Sequence, residues 1–120
     1  MKEFEVRTKI YFGENSLDRI YDLDYKKILI ITDPFAVSSN LISHITNRMN
    51  KTSAEYKIYS DVVPDPPVEK VIAGVKTVLD FRPECIMAVG GGSAIDLSKS
   101  IRKFTEQMDS TLRPHLIAVP

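Results

Sequence analysis

The sequence predicts an α/β fold, a parallel sheet with helices on both faces. Three observations carry the prediction. Apolar, β-branched runs alternate with segments of helical spacing from about residue 27 onward. Those runs are apolar at consecutive positions, as strands buried on both faces must be. Proline or glycine stands at the joints, where strands stop and helices open. A chain of 120 residues suits a single domain and is short for two.

The first strong strand signal is Lys27-Ile28-Leu29-Ile30-Ile31-Thr32-Asp33, closed by Pro34. Proline keeps its predecessor extended, so Asp33 is expected at the strand's end. Leu41, Ile42, Ile45 and Met49 are spaced as one face of a helix. Residues 55–60 alternate weakly and read as a second strand. After Pro64-Asp65-Pro66-Pro67, the positions Val68, Val71, Ile72, Val75, Val78 and Leu79 give the clearest amphipathic helix of the chain. Cys85-Ile86-Met87-Ala88-Val89 is a third strand running into Gly90-Gly91-Gly92-Ser93. A helix expected to bury Ala94, Leu97, Ile101 and Phe104 starts at once, and residues 106–114 read as a polar loop. Leu116-Ile117-Ala118-Val119 begins another buried strand. Near the start, residues 8–12 suit a strand, and Ser16 suits the cap of a short helix through Leu17 and Ile20.

Composition narrows the function classes. Lys plus Arg, 16, equals Asp plus Glu, 16, so no excess positive field exists to hold a nucleic acid or an anionic membrane. The longest near-continuous apolar run, residues 28–31, is far short of the ~20 that span a bilayer. Met1-Lys2-Glu3-Phe4-Glu5 alternates charged and apolar residues, unlike a signal peptide. Cys85 is the only cysteine, which excludes an internal disulfide and a thiolate zinc cluster and points to the cytosol or another reducing space. His44 and His115 have no second His, Asp or Glu at metal-ligand spacing, so neither is a candidate ligand.

The informative segment is Gly90-Gly91-Gly92-Ser93-Ala94-Ile95-Asp96. Glycines between a buried strand and a helix remove every Cβ at the turn and let a phosphate approach bare backbone N–H groups. The helix adds the positive end of its dipole, and Ser93 adds a hydroxyl. The spacing is neither G-x-G-x-x-G nor a P-loop. The competing reading is a tight turn with Ser93 and Asp96 as a capping box. Asp33 is equally two-sided. At the end of a parallel strand its carboxylate can accept the ribose hydroxyls of an adenosine and repel a 2′-phosphate, or it can simply initiate a turn before Pro34. At Pro64-Asp65-Pro66-Pro67 a helix start with proline in its first turn is the simpler reading.

Several motifs occur together in one order. They are Tyr11-Phe12-Gly13, Ile31-Thr32-Asp33, Val62-Val63-Pro64-Asp65-Pro66, Gly90-Gly91-Gly92-Ser93 followed by Asp96 and Lys99, and Ile117-Ala118-Val119-Pro120. In these the chain resembles, over essentially its whole length, the N-terminal domain of the iron-dependent (group III) alcohol dehydrogenases. That family shares a fold with dehydroquinate synthase and glycerol dehydrogenase. Within it the chain is most similar to the short-chain alcohol and aldehyde branch, the propanol and ethanol dehydrogenases.

The resemblance implies a Rossmann-like, dehydroquinate synthase-like domain over residues 1–120 that binds NAD(H). It implies that Gly91, Gly92 and Ser93 hold the diphosphate and that Asp33 takes the adenosine ribose, favouring NAD over NADP. Asp65 falls where many relatives carry Asn near the adenosine, and Asp96 falls toward the nicotinamide. Relatives continue past the equivalent of Pro120 with a Thr/Ser/Gly-rich loop and a helical domain supplying one Asp and three His to the metal. The resemblance therefore implies a piece cut at its last strand, with Fe2+ or another divalent metal belonging to the full-length enzymes and not to this chain. It also implies a short-chain primary alcohol and its aldehyde as substrates, a homodimer, and a cytoplasmic or bacterial-microcompartment setting. Two alternatives stand beside this reading: a non-catalytic nucleotide-binding fragment or decayed remnant, and a relative acting on glycerol.

Overall fold

The computed structural model describes residues 8–10 and 16–120. Five parallel strands form one sheet: β1 (Thr8–Ile10), β2 (Lys27–Thr32), β3 (Glu55–Tyr59), β4 (Cys85–Val89) and β5 (His115–Val119), in the order β1-β5-β4-β2-β3. A 3-10 helix covers Ser16–Asp22, and four α-helices follow: α1 (Pro34–Ser38), α2 (Ser43–Met49), α3 (Val68–Phe81) and α4 (Gly92–Met108).

Strand side chains alternate between the two faces, so each run of isoleucine and leucine feeds two cores. Leu29, Ile31, Ile86, Ala88 and Leu116 meet Val75 and Val78 of α3 and Ala94, Leu97 and Ile101 of α4. Ile28, Ile30, Met87, Ile117 and Val119 meet Ile20, Ile42, Ile45 and Met49 on the opposite face. Burying each such side chain contributes roughly 1.5–3 kcal/mol, which is why doubly covered strands read as unbroken apolar runs. On the first face α3 and α4 approach very closely. A Cβ at Gly74 would lie 2.3 Å from Ile101 Cδ1, so only glycine fits this crossing without movement.

The alternation and the parallel sheet agree with the sequence; several details do not. Leu41, expected on the buried face of the helix that reaches Met49, is exposed and lies before α2. The short α1 ahead of it was not expected, and Asn40, at a left-handed φ of 63°, stands between the two helices. Phe104 is 48% exposed. The core positions of α4 advance from Ala94 to Leu97, Ile101 and Thr105, leaving Phe104 about 100° round the helix. Thr105 is tolerated there because its hydroxyl donates to the Ile101 carbonyl at 2.7 Å, and Ser98 does the same to Ala94 at 2.7 Å. The helix also runs to Met108, into the stretch expected to be loop. Val68 and Ile72, 65% and 59% exposed, join Phe104 and Met108 around an open apolar groove between α3 and α4. The apolar stripe of α3 is thus wider than its buried face. Of the first predicted strand, positions 11 and 12 lie outside the described residues, as does the Tyr11-Phe12-Gly13 motif.

Candidate functional site

The connection after β2 leads to α2 on one face of the sheet, and the connection after the adjacent β4 leads to α4 on the other. Neighbouring strands whose connections part to opposite faces leave a crevice at their carboxyl ends, the usual ligand position in open α/β sheets. Asp33 and Gly90 stand at the two lips of this crevice.

Asp33 is extended, with φ −87° and ψ 161°, and its Oδ1 accepts from the Ala36 N–H at 2.8 Å, capping α1. The turn role proposed for it is therefore real. It uses only one oxygen, and the other faces the glycine loop: a Cβ on Gly90 would lie 3.2 Å from Asp33 Oδ2. Gly90 has φ +127°, which L side chains rarely adopt. Its N–H donates to the Val119 carbonyl at 2.9 Å.

The next two glycines differ from the first. A Cβ on Gly91 or Gly92 would meet nothing within 4 Å, so the backbone here faces open space. Gly91 is the N-cap of α4, extended at φ −82° and ψ −162°, and its carbonyl accepts from the N–H groups of Ala94 and Ile95 at 3.2 and 3.3 Å. The amides of Gly92 and Ser93 stand ahead of these at the helix mouth, where no intrahelical acceptor exists. The Ser93–Asp96 capping box of the competing reading is absent, since no side chain caps α4. Gly91 already occupies the cap position, which puts Ser93 two residues too late.

Ser93 and Asp96 instead line a groove of about 340 Å³ with Asp65, Pro64, Pro66 and Ser100. The structure thus brings Asp65, Ser93 and Asp96 together, with Asp33 and the glycines at the neighbouring switch point and not in the groove wall. Asp65 sits at a left-handed φ of 44°, a conformation that Asp and Asn tolerate better than most residues. Pro67, not Pro64, borders α3 as its N-cap. The sequence did not reveal what anchors this loop. The Tyr59 hydroxyl donates to the Lys70 carbonyl at 2.9 Å, and Lys70 Nζ lies 3.6 Å from Asp61 Oδ1. Burial, then the nearby Asp61 charge, pushes the Tyr59 hydroxyl pKa above its ordinary value.

Chemically, the arrangement could hold an anion through backbone dipoles. The groove wall carries no Lys or Arg, so attraction must come from amides and the helix dipole, and the surrounding carboxylates suit hydroxyl donors. The open backbone at Gly91 and Gly92 fits a diphosphate, where a side chain would project into the approach path. A metal does not fit: among the described residues no three His, Cys, Asp or Glu side chains converge to hold one.

The family described as iron-containing alcohol dehydrogenase matches residues 7–120. The chain belongs to the iron-containing alcohol dehydrogenases. It is 34% identical over 120 residues to 1-propanol dehydrogenase PduQ of Citrobacter freundii, covering 100% of this chain and 32% of that protein. It is 30% identical over 112 residues to the NADPH-dependent butanol dehydrogenase of Clostridium saccharobutylicum, covering 92% of this chain and 29% of that protein. The iron-containing alcohol dehydrogenase of Thermococcus thioreducens superposes with a TM-score of 0.79 at 25% identity, covering 98% of this chain and 36% of that one. The chain therefore spans about a third of the length of these alcohol dehydrogenases.

Proposed function

We propose that residues 1–120 form the dinucleotide-binding domain of an NAD(H)-dependent, metal-dependent alcohol dehydrogenase that interconverts short-chain primary alcohols and aldehydes. The observation that carries this reading is the switch point itself. One free carboxylate oxygen of Asp33 faces Gly90, beside two glycines whose backbone is open to solvent. Gly91, Gly92 and Ser93 would hold the diphosphate through N–H groups and a hydroxyl. Asp33 would accept the adenosine ribose hydroxyls, Asp65 would border the adenosine, and Asp96 would lie toward the nicotinamide. A dinucleotide held by these residues would bring hydride-transfer chemistry, which no amino-acid side chain can provide. The family likeness supports iron or another divalent metal in full-length relatives, and a dimer. The described residues offer no ligand set for that metal. No described helix is long and apolar enough to cross a membrane.

Cofactor form cannot be inherited from the relatives. The Clostridium saccharobutylicum enzyme is named NADPH-dependent, whereas a Thermotoga maritima structural relative (17% identity, TM-score 0.72, 99% of this chain and 44% of that one) is named an NADH-dependent butanol dehydrogenase. Asp33 favours NAD, because its charge would repel a 2′-phosphate. The test is calorimetry with NADH and NADPH on the wild-type chain and on Asp33→Asn, which keeps the cap on α1 and removes the charge. NADH should bind weakly but more tightly than NADPH, and Asp33→Asn should narrow the gap about tenfold, the effect of losing roughly 1–2 kcal/mol of repulsion. Equal affinities in the wild type would remove Asp33 from the ribose site. Absence of any NADH binding at millimolar concentration would remove the diphosphate cradle.

A further inference from the structure

Thr32 closes β2 and is fully buried, one residue before Asp33. Its register partner is Val89, the last residue of β4 before the glycine loop. Thr32 Oγ1 donates to the Val89 carbonyl at 3.0 Å. That carbonyl belongs to the same peptide unit as the Gly90 N–H, which donates to Val119 at 2.9 Å on the other side. The Val89–Gly90 peptide plane is therefore held at both ends, by β2 through a side chain and by β5 through its backbone. A peptide unit is rigid, whereas glycine is the residue type with the most backbone freedom. Pro34 has no N–H, so β2 offers no backbone donor beyond Asp33, and the Thr32 hydroxyl adds one.

We propose that Thr32 is a positioning residue for the diphosphate site: by fixing the Val89–Gly90 peptide across the switch point, its hydroxyl sets the direction in which the Gly91 and Gly92 amides face. The proposal rests on the reading that this loop meets a diphosphate. A hydroxyl that served only to satisfy itself in the core would stabilise the whole fold evenly and leave ligand discrimination alone.

Thr32→Val keeps the shape and removes the donor, and Thr32→Ser keeps the donor. The 120-residue chain is titrated by NMR with ADP and with adenosine, and amide exchange with solvent is followed without ligand. Thr32→Val should weaken ADP about three- to tenfold, the size of one hydrogen bond, and leave adenosine unchanged. Thr32→Ser should restore ADP binding. Exchange at Gly90, Gly91 and Gly92 should quicken in Thr32→Val beyond any change at Ile30 and Ile86 in the core. Equal losses for ADP and adenosine, failure of serine to restore, or exchange that moves only with the core would each overturn the proposal. If Thr32→Val does not fold, Thr32→Cys, a weak donor of similar size, replaces it. A wild-type chain that bound no ADP at millimolar concentration would sink the diphosphate reading instead, and the exchange measurement alone would then decide whether Thr32 orients the loop.

Discussion

The two ends of the sheet treat polar groups in opposite ways. At the amino end they bond to one another. The Tyr25 hydroxyl meets His115 Nδ1 at 2.8 Å, the Lys26 N–H donates to Glu84, Lys27 Nζ donates to the Phe81 carbonyl at 3.2 Å, and Arg82 pairs with Asp109 at 3.1 Å. At the carboxyl end Thr32, one oxygen of Asp33 and the Tyr59 hydroxyl bond within the fold, and Lys70 pairs with Asp61. Asp65, Ser93 and Asp96 make no side-chain hydrogen bond or ion pair with other described residues, and the glycine backbone faces open space. Polar groups that satisfy each other hold strands in place. Groups arranged around an open groove remain available to a ligand, and that contrast separates structure from site in this chain.

The largest expected effect breaks the carboxyl end without touching the fold. Gly91→Asp puts a good N-cap residue where glycine now caps α4, so urea unfolding should show stability equal or a few tenths of a kcal/mol higher. The added charge faces the proposed diphosphate, and calorimetry should show NADH affinity falling at least about tenfold through like-charge repulsion. Unchanged affinity would mean that the glycine loop is only a turn. Gly90→Ala tests the neighbouring position, where the backbone at φ +127° excludes a side chain. It should cost about 1–3 kcal/mol in urea unfolding, so adjacent glycines would fail for different reasons.

Tyr25→Phe addresses the amino end. It removes the hydrogen bond to His115 and should cost about 0.5–1.5 kcal/mol by thermal unfolding, with NADH affinity unmoved. A change in cofactor affinity would show that the two ends are coupled. The smallest effect concerns Asp109, whose carboxyl is held below its ordinary value by the Thr111 hydroxyl and backbone N–H, then by Arg82. A carboxylate depressed in the folded state adds stability above its unfolded pKa near ~4, and that stability is lost as pH falls through the folded value. Thr111→Val should bring the Asp109 titration back toward the unfolded value, read by its carboxyl carbon shift. The slope of stability between about pH 5 and 3 should then flatten slightly.

The sheet was legible because strands covered on both faces advertise themselves as unbroken apolar runs, as residues 28–31 and 85–88 do. Gly90 to Asp96 were legible because glycine at a strand–helix joint has a physical reason to be there. Less visible were features decided by backbone conformation at ordinary residues. Asn40 turns the chain between α1 and α2, and Arg82 ends α3 in the left-handed region where glycine is usual. Buried polar residues were equally hidden: Ser98 and Thr105 satisfy their hydroxyls within their own helix, so no charge or spacing marks them as core. The tie between Thr32 and Val89 spans 57 positions of sequence and depends on strand order, which periodicity does not report.

One missing carbon has a reach beyond its neighbours. Because Gly74 lets Ile101 press against the α3 backbone, the spacing of two helices is decided near their middles. Each of those helices begins beside the groove, α3 just after the Pro64–Pro67 turn and α4 at the glycines. The gap into which a cofactor would slide is consequently calibrated from a distance, and a methyl group at position 74 would act as a shim between its walls.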